Sequence, residues 1–386
     1  MRGRPCGEAS QTRSAKRTYP RAMGTLKKVL GAPADLGIRR AYGAALEKKK
    51  QPLGAFVRLQ CDAEEASGEA QRVLEREAWD LAREHERDWL APLFEIPSVG
   101  AVQRQPLLEQ RRGLVEHLNV HEDVVDDFDA ICERAPVTSV SGRIYNHTQA
   151  ARFLELADSK HIDQVHTLRL NGNHTQLLFE LARRKRPLVL RTVETNVDAA
   201  ADFDALAAWD AFDALESLEI YSNNAEVAAS LVAWIGAAGF AKLHTLKLNM
   251  PLSKKTVAPL VAAELPALRH FALRRAPLKA AGTKALAKAA WLGQLESLEI
   301  KTCDPGTAIT ELLKPATKLT TLAVGGPGGL TAKSMPPFME ALGDLKKLRS
   351  LSIAGNALRH KGADAFVAGA EAVEHPGVAD TGAGPF

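Results

Sequence analysis

Leu243-His244-Thr245-Leu246-Lys247-Leu248-Asn249 carries apolar residues at its first, fourth and sixth positions, and this frame returns along most of the chain. It reads Val165/Leu168/Leu170, Leu215/Leu218/Ile220, Leu268/Phe271/Leu273, Leu295/Leu298/Ile300, Leu319/Leu322/Val324 and Leu348/Leu351/Ile353. From Leu215 the successive steps are 28, 25, 27, 24 and 29 residues, a period that holds one short strand and one helix or turn per unit. The three apolar positions are expected to point inward and stack on their counterparts, so that a parallel sheet grows one strand per repeat. Alanine-rich stretches over 225–238, 283–292 and 363–373 are expected as helices on the outer, convex side. One unit, around Leu188 and Leu190, keeps the frame only loosely.

Helical connectors at this period resemble the ribonuclease-inhibitor-like class of leucine-rich repeat. The resemblance implies an α/β horseshoe-shaped solenoid with the parallel sheet inside and the helices outside. That class prefers Asn or Cys at the ninth position, where the side chain satisfies backbone groups as the strand bends away. Asn173, Asn223, Cys303 and Asn356 conform. Pro251, Ala276 and Pro327 do not, and irregular turns are expected there.

Ahead of the repeats, four helical periods fit residues 23–93. Leu26, Val29 and Leu30 share one face, then Ile38, Tyr42, Ala45 and Leu46 share another. Pro52 and Gly54 read as a turn, Phe56, Val57 and Leu59 open a third helix, and Leu74, Ala78 and Leu81 place a fourth that ends near Trp89 and Leu90. The runs Ile38–Tyr42, Gly54–Gln60 and Glu86–Leu93 resemble the bacterial repeat-companion domain, found ahead of leucine-rich repeats in myxobacteria and planctomycetes. Its usual Tyr-Ala-Asp-Trp-Leu stands here as Tyr42-Gly43-Ala44-Ala45-Leu46. The resemblance carries over no known activity.

Residues 94–110, with Pro97, Gly100 and Pro106, read as a linker. Residues 111–120 alternate roughly like a strand and Val137–Val140 begin another, together forming capping units of a solenoid taken to span 111–373. Residues 1–22 and 374–386 lack aliphatic periodicity and are expected to be disordered, and Met23 offers a second candidate start.

The formal net charge is +4. Residues 1–22 alone carry +5, through Arg2, Arg4, Arg13, Lys16, Arg17 and Arg21 against Glu8, which leaves the rest at −1. The basic balance belongs to a short arm and not to the folded body, which argues against nucleic acid as the partner. Cys6, Cys61, Cys132 and Cys303 show no disulfide or zinc spacing, so a reducing, cytoplasmic setting is expected. The longest uncharged run, Val227 to Ala241, is 15 residues, too short to span a bilayer, so no membrane partner is expected.

Plain readings suit the residues that otherwise look chemical. His161, His166 and His174 do not share a helical face, and Asp123, Asp126, Asp127 and Asp129 lack the glycine and distal glutamate of a calcium loop. Gly325-Gly326-Pro327-Gly328-Gly329 has no following Lys-Ser or Lys-Thr and reads as a loose turn, not a phosphate loop. With no nucleophile or metal motif, no enzyme activity and no cofactor are expected. The expectation is a non-catalytic interaction scaffold for a protein that the sequence does not name, in an unspecified oligomeric state. The alternative is a regulatory or effector-like protein with an activity in the helical domain. On the concave face, frame positions 5 and 7 vary and mark the candidate binding residues: Arg169, Asn171, Glu219, Tyr221, Lys247, Asn249, Arg274, Glu299 and Lys301. Position 3 is nearly uniform, Thr167, Ser217, Thr245, Ser297, Thr321 and Ser350, which reads as strand packing.

Overall fold

The computed structural model describes residues 23–101, 108–143, 147–171, 175–197, 203–356 and 358–372. The basic arm 1–22 with Cys6, the tail from 374, and Asn173 and His174 lie outside the described residues. The chain divides into two compact units, residues 1–116 with 130–136, and residues 117–129 with 137–386.

In the first unit the helices are α1 (Met23–Gly31), α2 (Leu36–Glu47), α3 (Pro52–Glu65), α4 (Gly68–Phe94) and α5 (Pro97–Ala101). Asp35 caps α2 by accepting the Ile38 amide at 2.9 Å. Pro52 does not sit in a turn. It occupies the first turn of α3, where its missing N–H would have had no partner and its fixed φ suits the helix. The fourth helix runs past Leu90 to Phe94, with Pro92 inside its last turn. The stretch read as a linker holds α5 and the first strand, with Ile96 and Val99 buried. Val29, Tyr42, Leu46, Phe56, Val57 and Leu59 form the core, and Trp89 stacks on Phe56 with ring centres 4.8 Å apart.

A buried ion network lies beside that core. Arg39 is fully buried; its Nε donates to the Pro33 carbonyl (2.7 Å), its Nη1 to the Arg112 carbonyl (3.1 Å), and its Nη2 lies 3.0 Å from Glu116. Arg112 also pairs with Glu116, its Nε donating at 2.9 Å. Burial pulls the Arg39 guanidinium below its ordinary range while Glu116 opposes the shift. The network depends on a hairpin where a single strand is expected: β1 (Leu108–Arg111) and β2 (Leu114–Val120) are joined by Arg112 and Gly113 at φ 49° and 87°. Two left-handed residues in succession are what a two-residue hairpin turn demands. A Cβ on Gly113 would stand 2.5 Å from the Val57 Cα, so only glycine fits.

The second unit holds the repeat strands. Its strands are β3 (Ser139–Arg143), β4 (Thr167–Asn171), β5 (Thr192–Asn196), β6 (Ser217–Tyr221), β7 (Thr245–Asn249), β8 (His270–Arg274), β9 (Ser297–Lys301), β10 (Thr321–Gly325) and β11 (Ser350–Ser352). Among the described residues eleven strands are ordered as in the sequence, and every step from β2 onward is parallel. The register never slips: Leu118, Val140, Leu168, Val193, Leu218, Leu246, Phe271, Leu298, Leu322 and Leu351 form one row. The architecture is therefore a leucine-rich repeat solenoid preceded by a helical region. The unit around Leu190 is regular after all, with Leu190/Val193/Thr195 in the frame and Thr195 buried where its neighbours have aliphatics. Each inward Leu stabilises the stack by roughly 2–3 kcal/mol.

Connectors pack behind the sheet. Ala225–Ala238 is a helix capped by Asn224, Lys279–Leu286 and Arg359–Ala372 are helices, and Ala290–Gln294 is a 3₁₀ turn. Phe212, Trp234 and Phe240 pack edge to face at 5.2–6.4 Å. Where the strands leave the sheet, position 8 divides the array. Val197, Ser222 and Met250 are buried there, whereas Arg275, Thr302, Gly326 and Gly355 are left-handed at φ 56°, 56°, 82° and 75°. Cys303 Sγ donates to the Leu273 and Lys301 carbonyls, and Asn356 Nδ2 to those of Val324 (2.7 Å) and Ile353 (2.6 Å), as the ninth position predicts. Asn223 instead is exposed and accepts from Arg275 Nη2 at 2.8 Å. The glycine run is not loose: a Cβ on Gly325 would strike the Ala354 carbonyl, and one on Gly329 the Asn356 side chain.

Candidate interaction face

Strand alternation sends positions 4 and 6 into the stack and leaves positions 3, 5 and 7 on the open side. At position 5, Arg169, Glu194, Glu219, Lys247, Ala272 and Glu299 follow one another in register. At position 7, Asn196, Tyr221, Asn249, Arg274 and Lys301 do the same, with Asn171 at this position of β4. The residues expected to bind a partner thus lie on successive strands of one face, and the structure adds Glu194. Sequence reading passed over Glu194 because Thr195 interrupts the apolar frame beside it; its signal was its place between Val193 and Thr195.

These side chains form two ionic clusters. In one, Glu219 accepts from the Tyr221 hydroxyl and lies 2.9 Å from Lys247 Nζ, while Arg169 stands 4.0 Å from Glu194. In the other, Arg274 donates to both oxygens of Glu299 at 2.7 and 2.9 Å, and Lys301 Nζ lies 2.9 Å from the same carboxylate. Burial works against the Glu299 charge, but hydrogen bonds from Arg274 and Lys301 outweigh it and hold the carboxyl below its usual range. Glu194 lacks such donors, so burial, and then the Glu219 charge, push its carboxyl above that range. Burial and Glu219 likewise raise the Tyr221 phenol. The carboxylates are sunk, Glu219 17% and Glu299 19% exposed, while Arg169, Lys247 and Lys301 stand out at 47%, 44% and 41%. The face therefore presents cations over recessed anions.

The histidines are placed apart from these clusters. His166 Nδ1 lies 3.0 Å from the Val189 carbonyl and therefore carries the proton. His117, at position 3 of β2, is buried between two hydroxyls, Nδ1 2.7 Å from Ser139 Oγ and Nε2 2.9 Å from Ser141 Oγ. No local motif marks it, because the hydroxyls come from the next strand. Asp126 pairs with Arg152 at 2.7 Å and Ser159 donates to Asp129, so the acidic run engages neighbouring cations and hydroxyls. Burial raises the Cys303 thiol to about 12 and keeps it from acting as a thiolate.

No family model matches the chain and no curated protein matches it. Among solved structures it is similar to a chain in the crystal structure of the Rad7 and Elc1 complex in yeast, at 13% identity over 75% of this chain and 87% of that one, with a TM-score of 0.40. It is also similar to an internalin, InlF, from Listeria monocytogenes, at 14% identity over 61% of this chain and 72% of that one, with a TM-score of 0.31. At these values the fold rests on the strand register itself.

Proposed function

We propose that the chain is a non-catalytic scaffold that binds a protein partner on the open face of its sheet, through Tyr221, Arg169, Lys247 and Arg274, with Asn171, Asn249, Glu219, Glu299 and Lys301 around them. One observation carries the reading. In β4, β6, β7 and β9 the inward positions are fully buried while positions 5 and 7 stay at least partly exposed and vary in chemistry. Tyr and Arg are the residue types that most often dominate interface energetics, and here they share one ladder. Mixed sign with a single Tyr favours a protein surface over a nucleic-acid groove. Among the described residues no helix is long and apolar enough to cross a membrane. The likeness of the helical unit to the bacterial repeat-companion domain supports a bacterial setting.

The test is capture of partners from a native bacterial lysate on immobilised full-length protein, wild type against Tyr221→Ala/Arg274→Ala. Loss of a captured partner with circular dichroism unchanged is expected. Equal capture by the double variant would move the site off this face.

A second reading, an effector-like or regulatory protein with an activity of its own in the helical unit, draws on one feature. A groove of about 610 Å³ in that unit is lined by Phe56, Ala63, Gln71, Ala78 and Trp79, and Trp79 is 65% exposed. If Trp79→Ala abolished partner capture while Tyr221→Ala/Arg274→Ala did not, this reading would replace the first.

A further inference from the structure

We infer that the rim where β7 and β8 leave the sheet, with the adjoining end of β9, receives an acidic segment of the protein partner; this rests on the reading of the face above and specifies the partner's chemistry. Lys254 and Lys255 are exposed in the loop after β7, Arg275 in the loop after β8, and Lys279 at the start of the helix that follows that loop. The ladder carries past the strand ends, with the Met250 amide donating to the Arg274 carbonyl at 3.1 Å and the Arg275 amide to the Lys301 carbonyl at 3.0 Å. The two loops therefore depart from neighbouring points, one strand spacing apart, roughly 4.8 Å. They also touch further out: the Lys254 amide lies 3.4 Å from where a Cβ on Gly282, in the helix begun by Lys279, would stand.

What separates these cations from those of the face is their pairing. On the face, Glu299 is shared by Arg274 and Lys301, and Glu219 by Tyr221 and Lys247. Among the described residues no ion pair includes Lys254, Lys255, Arg275 or Lys279, and Arg275 donates to a neutral acceptor, Asn223. Asp304 is the one carboxylate in the loop that follows β9. An incoming carboxylate at this rim breaks no internal pair, whereas one landing on the face competes with Glu219 or Glu299. Arg274 and Lys301, at the strand ends, extend the positive field from the rim onto the face. The rim loops contain no aromatic residue on which bases could stack, and recessed glutamates beside it repel a continuous phosphate backbone. A short run of Asp and Glu on a protein fits both the width of two repeats and the sign of the charge.

Rim charges act mainly on association rate and salt dependence. The experiment is fluorescence anisotropy of a labelled peptide of alternating Asp and Glu against the full chain, at low salt and at about 0.15 M. The rim variant Lys254→Glu/Lys255→Glu/Arg275→Glu/Lys279→Glu is compared with an arm variant, Arg13→Glu/Lys16→Glu/Arg17→Glu/Arg21→Glu, because the arm carries much of the chain's positive charge. Saturable, salt-sensitive binding that falls about tenfold or more in the rim variant, and less than about twofold in the arm variant, is expected. The neutral Lys254→Gln/Lys255→Gln/Lys279→Gln, which introduces no repulsion, should fall by an intermediate factor and guards against a folding defect. Equal binding by the rim variant and wild type, or loss confined to the arm variant, overturns the inference. So does tighter binding of oligouridine than of the peptide through the same four residues. Capture of the partner by wild type but not by Tyr221→Ala/Arg274→Ala is a separate readout, so the face reading and the rim inference fail independently.

Discussion

In the helical unit the decisive polar groups are inside and singular, whereas in the repeat array the inside is apolar and interchangeable and the polar groups stand on the open face. Arg39 meets three different acceptors, Pro33, Arg112 and Glu116, and no other residue repeats its role. Leu246 meets Leu218 and Phe271 in a row where any well-fitting apolar side chain serves. The difference teaches where each region keeps its specificity: the helical unit holds it in one desolvated network, and the array in a register that every strand inherits from the one before.

The sharpest way to break that comparison is to charge the interchangeable row. Leu246→Asp would place a carboxylate between Leu218 and Phe271 and is expected to cost about 4–5 kcal/mol or more. A thermal transition left in place would mean that the repeat frame is wrongly assigned. In the helical unit, Arg39→Met removes one of the two cations that hold buried Glu116 and the donors to the Pro33 and Arg112 carbonyls, and is expected to cost about 3 kcal/mol in urea unfolding. Adding Glu116→Gln should recover part of that loss; additive losses would show that Arg39 acts by packing and not by charge.

A smaller effect probes a polar residue in the other inward row, at position 6. Thr195 is buried at position 6 and its hydroxyl has no hydrogen-bond partner among the described residues. Thr195→Val keeps the shape and removes the unmet donor, so the free energy of unfolding should rise by about 1 kcal/mol. A fall would show that the hydroxyl is satisfied.

The smallest effect compares two carboxylates on the face across pH. Glu194 titrates above the usual range in the folded chain, so its charge weighs on the fold near neutrality, and that penalty lifts as pH falls through the raised value. Glu299 titrates below the range, so its contribution is present near neutrality and is lost as pH falls through the lowered value. Accordingly Glu194→Gln should stabilise at neutral pH, and Glu299→Gln should destabilise, with both effects shrinking on acidification. Urea midpoints over a pH series check this, and profiles of the same sign for the two variants would contradict the assignment of their partners.

The array was legible in the sequence because its stabilising term, apolar burial at a fixed period, is written directly in residue types. It became illegible where a polar residue takes an apolar place, at Thr195, and with it Glu194 was missed. The buried Arg39–Glu116 pair left no trace in periodicity, since its partners are brought together by a hairpin turn at Arg112 and Gly113. Pro52 misled for a related reason: a proline marks a helix start as readily as a turn, and the difference lies in which amides need partners. The face residues were legible as a stripe, but their pairing was not, because Arg274 and Glu299 are 25 residues apart in sequence.

The sheet order, identical to the order of synthesis, bears on how the molecule comes to exist. Every strand from β3 onward pairs with one completed about a repeat earlier. A ribosome delivering roughly 5–20 residues per second would lay each strand against a formed edge within seconds of the last. The loop each pairing must close stays nearly constant however long the chain grows, which favours rapid zipping over a search for distant partners. At any moment one edge is open to the wrong neighbour, and β11, the last strand among the described residues, has three residues and offers such a neighbour little to hold.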